Sequence, residues 1–99
     1  MSILHIIRNR NDGIALDTIR LQSESDGNGD VGVLLIHDAV LDIADGIASV
    51  FPTGVKLHAL SADCDARGIS QVDEACVYAC VDYDAMLELV FKYDRVITW

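Results

Sequence analysis

VGVLLIH, residues 31–37, decides the fold. Its apolar side chains run on without alternating, so a strand built from it offers an oily surface on both faces. Such a strand is stable inside a sheet that is covered on both sides, the usual condition of parallel strands. Four more runs have strand length: residues 2–8 (SILHIIR), 55–60 (VKLHAL), 77–82 (VYACVD) and 95–99 (RVITW). Between them the period becomes helical. Val40, Ile43, Ala44 and Ile47 form one stripe, and Met86, Leu89, Val90 and Tyr93 form another. Asp84 reads as the N-cap of that last helix, with Lys92 near its C-terminus where the helix dipole favours a cation. Ala15, Leu16 and Ile19 mark a shorter face after Asp12-Gly13 that fades by Ser23, and Ser61 reads as the cap of a brief helix that Gly68 ends. The order β-α-β-α-β-α-β-α-β predicts a three-layer α/β domain: a mostly parallel five-stranded sheet, right-handed crossovers and helices on both faces. The polar residues 24–30 (ESDGNGD) are expected to form a loop.

Length and composition narrow the function. With 99 residues, 52% of them hydrophobic, and one proline, the chain has material for a single small core, so one domain is expected over residues 1–99. No run approaches the roughly 20 apolar residues of a membrane span, and MSILHIIRNR turns polar too soon for a signal peptide, so a cytoplasmic protein is expected. The net charge of −9 sets the field of the whole chain against a phosphate backbone, so direct nucleic-acid binding is not expected. Three cysteines cannot all pair, and cytosolic thiols stay reduced.

Ligands of open parallel sheets gather beyond the carboxyl ends of the strands, which singles out Arg8, Asp38, residues 61–64 and Asp82. The alternative is that these residues only cap helices and turn loops. Gly27, Gly29 and Gly32 match G-x-G-x-x-G, but they precede a strand, whereas a dinucleotide fingerprint follows one and opens a helix. Cys76 and Cys80 would stand roughly 13 Å apart on a strand, too far for a disulfide or a shared ion. Cys80 reads as a small buried hydrophobe. His5, His37 and His58 come from three strands with no carboxylate or thiol at ligand spacing, so no metal is assigned, and no cofactor is expected. No serine sits in a G-x-S-x-G elbow.

Cys64 is the candidate thiol. It lies in the first turn of a predicted helix, where the dipole favours a thiolate, but Asp63 and Asp65 oppose that and Arg67 compensates in part. Two readings stand: a persulfide carrier, or an ordinary thiol on a helix face turned to solvent or to a partner.

Several stretches together resemble the TusB/DsrH family: SILH at the start, VLLIHDAV, KLHALSADCDARGIS, VDYDAMLELV and the closing VITW, in the family's order over nearly the whole chain. Within them A-L-x-x-D-x-x-A-R-G, residues 59–68, is followed by Asp82-Tyr83 and Trp99. The resemblance implies a flavodoxin-like (DsrEFH-like) fold. It also implies assembly with TusC/DsrF-like and TusD/DsrE-like subunits into a heterohexamer that passes persulfide sulfur, toward 2-thiolation of the wobble uridine of tRNA or within sulfur oxidation. The sulfur-accepting cysteine then belongs to the TusD/DsrE-like subunit, and this chain is a non-catalytic member. A homo-oligomer of the isolated chain is an open alternative beside that assembly. Some DsrH proteins carry a thiol in the first helix; here Leu16-Asp17-Thr18-Ile19-Arg20-Leu21 has none, and Cys64 stands where the family has an apolar residue. Asp38, Asp63, Arg67, Asp82 and Tyr83 are expected at a partner interface. Phe91 and Trp99 are either its aromatic anchors or core residues. A small α/β binding module unrelated to sulfur is the remaining alternative.

Overall fold

The computed structural model describes residues 2–10, 12–25, 31–41, 54–69 and 79–99. In chain order they form β1 (Ile3–Ile7), α1 (Gly13–Ser25), β2 (Val31–Leu35), a 3-10 turn (His37–Val40), β3 (Lys56–Leu60), α2 (Ser61–Ala66), β4 (Ala79–Val81), α3 (Tyr83–Lys92) and β5 (Arg95–Thr98). The five strands make one sheet in the order β4-β3-β2-β1-β5, and every pairing is parallel. The chain therefore steps outward from β1 to β4 and returns to the far edge for β5.

The continuous apolar run at residues 31–35 becomes β2, second neighbour to both edges, and all five of its residues are buried. Val31, Val33 and Leu35 face α1 and α2 together with Ile7, Ala15, Ile19, Leu57, Ala59 and Cys64. Leu34 faces the other way, with Leu4 and Tyr93, under Met86, Leu89 and Val90 of α3. Each such side chain contributes about 1.5–3 kcal/mol when fully buried, which is why a sheet this small needs helices on both faces.

Gly32 interrupts this run for a steric reason. A Cβ at that position would overlap the Tyr93 hydroxyl and come within 2.7 Å of its Cζ, so the missing side chain lets the end of α3 close onto the sheet. The glycine that completes a false dinucleotide pattern is thus a packing residue.

Local signals place the helices, with two corrections. Asp12 caps α1, its Oδ1 accepting from the Ala15 amide at 3.1 Å. The cap of α3 is Asp82, not Asp84: Asp82 is extended, so its Oδ1 reaches the Ala85 amide at 2.8 Å, while Asp84 is already helical. Ser61 does not cap α2. β3 runs straight into that helix, so the cap position falls on Leu60, whose side chain makes no capping bond. Gly68 follows the helix end with φ +70, the left-handed conformation that glycine tolerates. α1 continues to Ser25, past the point where its pattern fades. His37 leaves the extended conformation at φ +50 and ends the strand expected there. The expected stripe residues Ile43, Ala44 and Ile47, and the expected loop residues 26–30, lie outside the described residues.

The edge strand β5 is tied to β1 at both ends. Ser2 donates from its amide and hydroxyl to Asp94 Oδ2 at 3.0 and 3.2 Å, and the Asp94 amide donates back to Ser2 Oγ at 3.0 Å. Beyond the strand, Trp99 Nε1–H donates to His5 Nδ1 at 3.0 Å, and the two rings lie 22° from parallel. Indole only donates, so Nδ1 accepts and His5 carries its proton on Nε2, which donates to Gln22 Oε1 at 2.6 Å. Arg8 Nε completes the tie by donating to the Trp99 carbonyl at 3.0 Å.

Gly32→Ala should lower stability by about 1–3 kcal/mol through overpacking against Tyr93, read as an earlier urea midpoint at unchanged slope. Burial holds the pKa of both His5 and His58 below 6.5, so around that pH the folded chain binds fewer protons than the unfolded one. Their contribution is therefore intact above pH 6.5 and declines as pH falls below it. Protonation of His5 would also set an N–H against the indole N–H, so acid unfolding should be accompanied from its onset by a fluorescence change of Trp99, the single tryptophan.

Candidate functional site

The carboxyl ends of β2 and β3 carry a charged cluster. The 3-10 turn after β2 presents His37 and Asp38, and α2 with its exit presents Asp63 and Arg67. Arg67 is held between two carboxylates. Its Nη2 and Nε donate to Asp38 Oδ1 at 3.1 and 3.2 Å, and its Nη1 lies 3.5 Å from Asp63 Oδ1 and 3.4 Å from the Asp63 carbonyl oxygen. The other oxygen of Asp63 accepts from the His37 amide at 2.8 Å. Asp63 thus fixes the left-handed turn at His37 and, four residues before Arg67 on the helix, aims the guanidinium at Asp38.

Burial grades the cluster. The Asp63 side chain is 15% exposed and that of Arg67 25%, whereas Asp38 is 69% exposed. Two carboxylates against one guanidinium leave the surface negative, with Asp38 as its outermost charge. Asp38, Asp63 and Arg67, expected together at an interface, do come together; Asp82 and Tyr83 make no hydrogen bond or ion pair with them among the described residues. Asp82 is occupied in capping α3, and Tyr83 is exposed beside it. Phe91, on α3, is the most exposed large hydrophobic residue among the described residues. Trp99 packs partly against the α1 side of the core, so of the two aromatic residues it is the core member.

Cys64 departs from the expectation of an ordinary thiol facing solvent or a partner. It is fully buried within the core. Burial, then the neighbouring Cys80 thiol and the charges of Asp63 and Asp65, push its pKa up to about 11. The first turn of α2 turns this residue inward onto β3, because its neighbours Ala62 and Asp65 take the exposed positions. Cys80 lies against the same cluster but is only partly buried, which qualifies its reading as a buried hydrophobe. Cys76 is outside the described residues.

The three histidines are separated. His5 points to the α1 face and His58 to the α3 face, because Val33 pairs with Leu57 and Leu34 with His58 in the parallel register. His37 stands exposed past the end of β2. Among the described residues no group of three histidine, cysteine or acidic side chains converges as metal ligands. Neither ring nitrogen of His58 has a hydrogen-bond partner among the described residues, and burial and then Lys56 and Lys92 lower its pKa. The Gln22–His5–Trp99 chain has no sequence motif, since its members are 17 and 94 residues apart.

The arrangement offers fixed charges on a rigid edge. Arg67→Met should cost about 1–2 kcal/mol, since the half-buried carboxylate of Asp63 loses its charged partner. Arg67→Lys should restore little of this, because an ammonium cannot fork between two carboxylates. Asp38→Asn should cost under about 1 kcal/mol, as befits an exposed pair. Urea midpoints of the three variants check the ranking.

Among the described residues no helix is long and apolar enough to cross a membrane. No curated protein matches the chain. Solved structures share its fold, among them the following two. The ychN protein from E. coli superposes with a TM-score of 0.79 at 17% identity, over 99% of this chain and 98% of that one. BT1422, a conserved protein of unknown function from Bacteroides thetaiotaomicron, superposes with a TM-score of 0.66 at 13% identity, over 98% and 94%. The layered parallel sheet is that of a flavodoxin-like α/β domain. The family described as DsrH-like protein matches residues 15–96, from the first buried residue of α1 into β5, and the chain belongs to that DsrH-like family.

Proposed function

We propose that this chain is a non-catalytic subunit of a sulfur-relay complex, docked in the cytoplasm beside TusC/DsrF-like and TusD/DsrE-like subunits in a heterohexamer. The complex passes persulfide sulfur toward 2-thiolation of the wobble uridine of tRNA. Membership of the DsrH-like family supports a sulfur-relay subunit. The state of Cys64 carries the rest of the reading. Sulfur transfer requires an accessible thiolate, and a buried thiol whose pKa is pushed up to about 11 is neither accessible nor ionised at neutral pH. The first helix offers no substitute, as Leu16 to Leu21 contain no cysteine. What the chain does offer a thiol-bearing neighbour is a fixed charged edge at Asp38, Asp63 and Arg67. Its net charge of −9 favours a division of labour in which another subunit holds the tRNA.

Deleting the gene should remove 2-thiouridine from the wobble position of the affected tRNAs, as read by mass spectrometry of nucleosides. A Cys64→Ala chain should restore it, because the thiol only fills core volume. Unchanged thiouridine in the deletion strain would overturn the tRNA assignment, and failure of a folded Cys64→Ala protein to restore it would make Cys64 the carrier.

A further inference from the structure

α3 carries two apolar lines. Met86, Leu89 and Val90 face the sheet. Along one flank of the helix, about a quarter-turn round from that line, Tyr83, Leu87 and Phe91, spaced four apart, are 58%, 51% and 85% exposed. Side chains four apart on a helix stand one above the next, so these three form a continuous ridge of about 12 Å at 1.5 Å per residue. Aligned large side chains in water mark a contact surface, whereas scattered ones do not. Ile14 and Leu21, the exposed apolar residues of α1, lie seven apart with exposed Asp17 between them and build no such ridge.

The charges beside the ridge say what covers it. Asp84, Glu88 and Lys92 each follow a ridge residue by one position, so they line one flank of it, all exposed and changing sign along the helix. A contact about a two-fold axis needs a patch that complements itself. This ridge does so in one orientation. With two copies of α3 antiparallel and Leu87 on the axis, Tyr83 meets Phe91 of the second copy, Asp84 faces its Lys92, and the helix dipoles oppose. The two Glu88 carboxylates approach each other near the axis, each with its own Lys92 one turn away. A parallel pair would instead set like charges side by side. We propose that the exposed ridge of α3 is the interface between two copies of this chain. The contact needs no sulfur chemistry and does not depend on the sulfur-relay reading.

Sedimentation velocity and light scattering on the full chain, at low and moderate salt, test it. The wild type should be a dimer, and Leu87→Glu should be a folded monomer by circular dichroism and mass. Lys92→Glu should raise the dimer dissociation constant about tenfold, two symmetric exposed pairs being lost. Adding Asp84→Lys to Lys92→Glu should reverse most of that rise. Ile14→Glu, on the opposite face of the sheet, should leave the dimer intact. A monomeric wild type would overturn the proposal, as would a dimer indifferent to Leu87→Glu. So would a monomer whose ridge binds only a different subunit.

Discussion

Five consecutive residues of β2 are sealed from water on both faces of the sheet, and this two-sided burial is what the other elements serve. One face is closed by α1 and α2 and the other by α3. Parallel pairing throughout the sheet requires crossovers, and those leaving β1, β3 and β4 carry the covering helices α1, α2 and α3. Gly32 sets the distance of closest approach on the α3 side by leaving room for Tyr93. Since all strands point the same way, their carboxyl ends share one edge, and every loop-borne charge expected to matter is delivered there.

At that edge the ionic groups are engaged with one another. Asp63 accepts from the His37 amide with one oxygen and approaches Arg67 with the other; Arg67 in turn holds Asp38. These contacts fix the exits of β2 and β3 and leave one carboxylate, Asp38, facing outward. The Cys64 thiol is withdrawn into the core, where the low dielectric that favours packing opposes ionisation. The edge therefore presents fixed charge, while Cys64 is buried.

Much of the architecture was legible in the sequence. Continuous apolar runs marked strands in a covered sheet, and the stripe Met86, Leu89, Val90 and Tyr93 marked the inner side of α3. Of the site, Asp38, Asp63 and Arg67 were identified through strand ends and family resemblance, and they meet. The caps were less legible. Asp82 and Asp84 are both acceptable cap residues, and only the backbone conformation decides which one reaches a free amide.

The sequence by itself determined the layered α/β class and which stripe of α1 and of α3 turns inward, because side-chain periodicity is a local property that burial must satisfy. Only the tertiary structure decided that Cys64 faces the core, that Trp99 closes onto His5 across 94 residues, and that Gly32 lies beneath Tyr93. Those outcomes depend on which distant element arrives opposite a residue, and contact across the sheet leaves no periodic trace along the chain.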